Sequence, residues 1–234
     1  MVLPLTSDEE SRMRLAIAEF SESMRLVKHP SVRYIGRGYA KGVFAVQSSD
    51  ETPVAAACAR DGDVSLEEEC RILHRLHRAV PHLFPESFGV YNSMTLGQVM
   101  VMELLDHDSM IHPVDLRGVE DPYRKLAYQI GSGIAEVFVL TGMYSSEPHK
   151  GNILVKNADG VLDIKFCDAI QWKHGSLEEG IHAILRMPDE REECFRFIHR
   201  FRQGIIDKTH ELTGISQNDL ASQLDFMRSY NPIF

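Results

Sequence analysis

Apolar residues recur along this chain with changing rhythm, and each change marks an element. Met13, Leu15, Ile17, Phe20, Met24 and Leu26 keep a helical spacing. Thr6 and Ser7 precede Glu9 and Glu10 at capping-box distance, so a helix is predicted from there to about His29-Pro30. The period then shortens. Tyr34-Ile35, Val43 to Val46 and Val54 to Ala59 read as short strands, punctuated by glycines and by a Ser48-Ser49-Asp50 turn. Ser65 with Glu68 forms a second capping box before a helix whose apolar face is Leu66, Cys70, Leu73 and Leu76. Phe88 to Tyr91 and Val99 to Leu105 predict two more strands, joined by a turn containing Asn92-Ser93. Asp121-Pro122 reads as N-cap and first residue of a long helix through Leu126, Ile130, Ile134, Val137 and Phe138. A hairpin follows: Ile153 to Val155, a turn at Asn157-Ala158-Asp159-Gly160, then Val161 to Cys167. Helices are predicted after it, starting near Ser176, Asp189 and Ser216.

This order predicts an α+β protein with a strand-rich first half, a helical second half and a boundary near Leu105 to His107. A cleft between two such lobes is a favoured place for a ligand. With 234 residues, 44% of them hydrophobic, the chain is long enough for one full core or two closely joined lobes. Its net charge of −9 argues against a nucleic-acid-binding protein but leaves room for a local phosphate site. Cys58, Cys70, Cys167 and Cys194 show no paired spacing and read as reduced thiols. Met1 to Leu5 is short and runs into acidic Asp8-Glu9-Glu10, so no signal peptide is expected there, and the longest apolar run, Val137 to Met143, is too short to span a membrane. The expectation is a cytoplasmic protein, or one delivered into a host cytosol.

Candidate chemistry begins at Ile35-Gly36-Arg37-Gly38-Tyr39-Ala40-Lys41-Gly42-Val43. Glycines in a strand–turn–strand let backbone N–H groups approach phosphate oxygens, and they also serve as plain turn residues. Further along come Glu69 near the start of a helix, Met100 to Leu104 as an apolar strand, His149-Lys150-Gly151-Asn152 before the hairpin, and Asp168 after it. In this order the residues from about 33 to 170 resemble the protein kinase fold. The resemblance implies that Gly36, Gly38 and Val43 cover the phosphates and that Glu69 is the helix glutamate of the family. Met102 falls at the gatekeeper, and Glu103 to Leu105 at the hinge that receives adenine. Asn152 and Asp168 would be the Mg²⁺ ligands, hard oxygen donors in the family's catalytic loop and Asp-Phe-Gly positions.

Three departures qualify the resemblance. The third strand, Val54-Ala55-Ala56-Ala57-Cys58-Ala59-Arg60, has no lysine for the α- and β-phosphates. Lys41 occupies the third-glycine position of the loop, similar to the with-no-lysine kinases, which carry a lysine there and a cysteine in the third strand, as Cys58 would be. Lys41 is therefore either a relocated phosphate lysine that Glu69 could pair with, or a solvated loop residue. The family's His-Arg-Asp is replaced by Ser145-Ser146-Glu147, so Glu147 is either a longer catalytic base or a surface acid in an inactive site. Asp168 is followed by Ala169-Ile170, and no Ala-Pro-Glu segment appears downstream. The helical lobe is thus expected to be truncated, similar to small bacterial effector kinases, while His149 to Asn152 also resembles small-molecule kinases of the aminoglycoside and choline type. The expectation is a single bilobal kinase-like domain over 1–234, with an N-lobe to about 105 and a C-lobe from about 106. Its cofactors would be ATP and Mg²⁺, and its catalytic residues Glu147, Lys41 and Asp168. It would act on a protein hydroxyl, or bind nucleotide as a pseudokinase scaffold for a protein partner, or phosphorylate a small molecule.

Overall fold

A computed structural model describes residues 7–23, 31–37, 41–47, 52–59, 65–93, 97–110, 115–145, 150–176, 179 and 198–230. The chain divides into two compact units: Met1–His77 with Pro85–Asp106, and Arg78–Phe84 with His107–Phe234.

The first unit holds helix α1 (Ser7–Ser23), strands β1 (Ser31–Arg37), β2 (Lys41–Gln47) and β3 (Val54–Ala59), all but the last two residues of helix α2 (Leu66–Ala79), and strands β4 (Ser87–Ser93) and β5 (Gly97–Glu103). The strands form one antiparallel sheet in the order β1-β2-β3-β5-β4. Alternation of side chains sends Phe44, Val46, Ala56, Cys58, Val99 and Val101 to one face, where Ile17 of α1 packs on them without residual exposure. The other face presents Ala57 and Met100 to Leu66 of α2, with Val43, Ala59 and Met102 beside them. A central strand covered on both faces loses the polar half of its alternation, which is why β3 is a run of alanines and one cysteine.

Helix α2 starts where its capping box predicts. The Ser65 hydroxyl oxygen accepts the Glu68 N–H at 3.2 Å, and the Glu68 carboxylate turns to Arg71 rather than back to Ser65. Asn92 and Ser93, expected in a turn, belong to the ladder: they pair with Gln98 and Gly97. Helix α1 begins at Ser7, where the first capping box predicts it, while Thr6, the side chains of Glu9 and Glu10, and the Ser48 to Asp50 turn lie outside the described residues.

The second unit centres on helix α3 (Pro122–Thr141), which packs along α4 (Ile198–Thr213), followed by α5 (Gln217–Tyr230). Asp121 precedes α3 as predicted, but in a left-handed conformation and without a capping hydrogen bond from its side chain. Gly142 ends α3 at φ 67, its N–H bonded to Phe138 O, a conformation glycine adopts without strain. Strands β6 (Asp108–Ser109), β8 (Ile153–Ala158) and β9 (Val161–Phe166) form a three-stranded sheet, and β7 (Met143–Ser145) pairs with β10 (Trp172–His174). The hairpin turn is tighter than predicted. Ala158 pairs with Val161, leaving only Asp159 and Gly160 as the loop, both at positive φ, as a two-residue hairpin of the primed kind requires. Phe84, Phe166 and Trp172 form an aromatic cluster with centroids 5.2–5.7 Å apart. Ser176 and Glu179 close a full capping box with bonds of 2.7 and 3.1 Å, matching the expected start there. The start near Asp189, together with Cys194, Phe195 and Phe197, lies outside the described residues. Phe201 of α4 is buried. Among the described residues no helix is long and apolar enough to cross a membrane.

The α3–α4 crossing depends on two glycines. A Cβ on Gly131 would lie 2.0 Å from Phe201 O, and one on Gly204 would lie 2.2 Å from Tyr128 O, both backbone atoms that cannot swing aside. Gly131→Ala or Gly204→Ala is therefore expected to lower stability by about 1–3 kcal/mol in urea denaturation. Gly36→Ala, where an added Cβ meets nothing within 4 Å, should shift it by no more than about 0.5 kcal/mol.

Candidate functional site

Two sets of residues carry the candidate chemistry, one in each unit. In the first, Lys41 opens β2 directly opposite Ala59 of β3, and Gly36 and Arg37 of β1 pair with Val43 and Gly42. The β1–β2 ladder carries a bulge between Tyr34 and Gly36, so Gly36 lies in a strand rather than in the turn, at an ordinary backbone angle. Gly38 lies outside the described residues.

Lys41 projects to the α2 face of the sheet, where its Nζ donates a hydrogen bond to Glu69 Oε1. The Glu69 N–H bonds to Ser65 O at 3.1 Å, which fixes the carboxylate in the first turn of α2. Glu69 is only 2% exposed and Lys41 13%, so this is an ion pair largely withdrawn from water. Of the two readings of Lys41, a solvated loop residue does not describe it.

Cys58 does not share that environment. It faces the α1 side among Phe44, Val99 and Ile17, and burial pushes its thiol up to about 12. Cys58 stands in the third strand as expected, on the face opposite Lys41. The residue beside Lys41 is Ala59, whose small side chain leaves the lysine stem its room. Only the β2–β3 register identifies it, and no local sequence signal could have.

Val43 and Met102 pack on the same Ala57–Leu66–Met100 cluster. Glu103 pairs with Glu86: its N–H bonds to Glu86 O at 2.8 Å, and its carboxylate accepts the Glu86 N–H at 3.2 Å. Leu105 is half-buried beyond the end of β5.

In the second unit, the Cys167 N–H donates to Asn152 O at 2.9 Å, closing the base of the β8–β9 hairpin and bringing Asn152 and Asp168 to the same end of it. Asp168 then turns left-handed, φ 64 and ψ 64, and leads into a 3-10 turn at Ala169–Gln171, with Gln171 N–H on Asp168 O. Aspartate tolerates that conformation better than most residues, but it remains a strained position of the kind that clusters at sites. Asn152 and Cys167 also line a small cavity walled by Ile134, Ser145, Phe166 and Trp172. Ser145 is buried in β7 opposite Trp172, whereas Ser146, Glu147 and His149 lie outside the described residues.

The donor set fits Mg²⁺: an amide and a carboxylate oxygen, two hard ligands, match an ion that takes few protein oxygens and keeps waters. Among the described residues no group of three or more His, Cys, Asp or Glu gathers as a metal cage. No family model matches the chain, and no curated protein matches it in sequence.

Removing Lys41 would leave the buried Glu69 carboxylate without its lysine. Lys41→Met is expected to lower stability by about 3 kcal/mol, and Lys41→Met/Glu69→Leu to recover most of it, measured by chemical denaturation. Near pH 8, iodoacetamide should modify Cys70 and Cys167 of the folded chain well before Cys58, because burial holds that thiol protonated.

Proposed function

We propose that this chain is an atypical, bilobal protein-kinase-like phosphotransferase that uses ATP and Mg²⁺ to phosphorylate a hydroxyl group on a protein. The observation that carries the reading is the Lys41–Glu69 pair. Two charges taken out of water add little net stability, and replacing them with apolar side chains is often neutral or better. A buried carboxylate that fixes a lysine ammonium does serve a purpose where phosphate charge must be met by a positioned cation. The lysine stands at the end of a glycine-bearing strand pair, and its carboxylate partner is the residue that the kinase resemblance singles out.

In this reading Lys41 neutralises phosphate oxygens and Glu69 orients it. Asn152 and Asp168 hold Mg²⁺, which supplies charge neutralisation on the triphosphate when bound. Glu147 accepts the proton of the acceptor hydroxyl while its oxygen bonds to the γ-phosphorus and the bond to the β-phosphate oxygen breaks, leaving ADP. Gly36, Gly38 and Val43 lie over the phosphates, and Met102, Glu103 and Leu105 border the adenine.

A second reading, nucleotide binding without transfer, is favoured by Ser145. It stands in the first position of the altered catalytic triplet, and it is buried and strand-paired.

The test is transfer of labelled γ-phosphate to the chain itself, to a generic protein and to small-molecule hydroxyls, alongside thermal shift with ATP with and without Mg²⁺. Wild type should transfer to protein, and Asp168→Ala should lose at least about 100-fold. Lys41→Ala should lose a similar factor, and Lys41→Ala/Ala59→Lys should recover part of it, because the two positions face each other across the ladder. Stabilisation by Mg·ATP without transfer would replace the enzyme by the binding protein, and transfer to small molecules alone would change the acceptor class. No stabilisation and no transfer would overturn both readings. Transfer that survives Asp168→Ala would overturn the metal assignment.

A further inference from the structure

The outward side of α2 carries a feature that the phosphotransferase reading does not use. From Cys70 to Pro85 the chain has three arginines, three histidines and no acid, although the whole protein carries a net charge of −9. On the helix, Arg71, His74, Arg75 and Arg78 fall within one arc of about 100°. All four are exposed, while Ile72, Leu73 and Leu76 are buried on the opposite side. His77 falls outside the arc and is half-buried.

Complementing the helix dipole explains cations in the last turn only, and Arg71 and His74 stand before it. Helix propensity does not explain the grouping either, because any good helix former would serve at solvated positions. The residues instead build a cationic ridge about 10 Å long at 1.5 Å rise per residue.

We propose that this ridge docks a short acidic segment of a partner protein. Its length matches three or four residues of extended chain at about 3.3 Å each. Three of its four members are arginines, whose planar guanidinium groups take carboxylates in bidentate fashion better than lysines do. Long polyanions fit poorly, because the acidic remainder of the molecule repels any nucleic acid or anionic bilayer that extends past the ridge. Glu68 marks the end of the ridge: its carboxylate already engages Arg71 through Nε, at 2.9 Å, in an exposed pair. Such pairs are weak and yield to a competing acid. Glu68 thus acts as a built-in competitor. The inference stands independently of the phosphotransferase reading.

The test is fluorescence polarisation of a labelled Glu-Glu-Asp-Glu-Glu-Asp peptide on the full chain, with its Gln/Asn counterpart as control. The acidic peptide should bind and the control should not, and binding should weaken several-fold between about 50 and 200 mM salt. Arg75→Glu/Arg78→Glu should weaken it by about tenfold, and Arg75→Gln/Arg78→Gln by a smaller factor. Glu68→Gln should tighten it. The neutral pair keeps the test valid should the charge reversal fail to fold. The proposal is overturned if the acidic peptide does not bind, if binding is unchanged in the neutral pair, or if a single-stranded oligonucleotide or phosphatidylserine vesicles bind the arginines more tightly than the peptide.

Discussion

Holding a lysine ammonium against a carboxylate that water barely reaches requires a rigid frame on both sides, and the first unit supplies it. Desolvation of the two charges is offset only if their geometry is fixed. Ser65 fixes Glu69 by accepting its N–H, and the β2–β3 ladder fixes the Lys41 backbone opposite Ala59. Both supports depend on the sheet being covered on two faces. Leu66 of α2 presses on Ala57 and Met100, and Ile17 of α1 presses on the reverse side. The alanines of β3 allow that double cover.

The second unit, taken by itself, is organised around a different constraint. Gly131 and Gly204 let α3 and α4 approach until backbone meets backbone, which leaves the rest of α3 to bury Leu126, Ile130, Ile134 and Val137. Phe84, Phe166 and Trp172 then close over the hairpin base, and the Cys167 N–H on Asn152 O sets the register that delivers Asp168 to the hairpin's end. His107 is pinned to the same hairpin through Nε2 and the Asp163 carboxylate at 3.1 Å. Asp168 turns left-handed there without a capping hydrogen bond from its side chain. Helix α2 has two unlike sides: the buried side carries the Glu69 carboxylate that meets Lys41, and the exposed side carries Arg71, His74, Arg75 and Arg78.

Long periodic segments were legible in the residues alone. The α2 and α3 faces, the five-strand set and the start of the Ile153 strand agree with their apolar spacing, because burial of one face imposes that spacing directly. Strands of two or three residues were not legible: β6, β7 and β10 are too short to show any period. Asn92 and Ser93 are strand rather than turn because polar residues signal a turn only where no ladder claims them, and here Gln98 and Gly97 do. Asp121 and Pro122 are the N-cap and first residue of α3 as expected, but the Asp121 side chain makes no capping bond, since that bond depends on a backbone angle that residue type does not determine.

The sequence by itself determined an α+β chain and the positions of its main helices and strands. These follow from local spacing, which a linear pattern records. Only the tertiary structure decided that Lys41 meets Glu69, that Cys58 faces the other way, and that Ala59 stands beside the lysine. Those relations join residues far apart in the chain, 28 positions for Lys41 and Glu69, through strand register and helix docking, and a one-residue slip in register would turn the strand side chains to the opposite face.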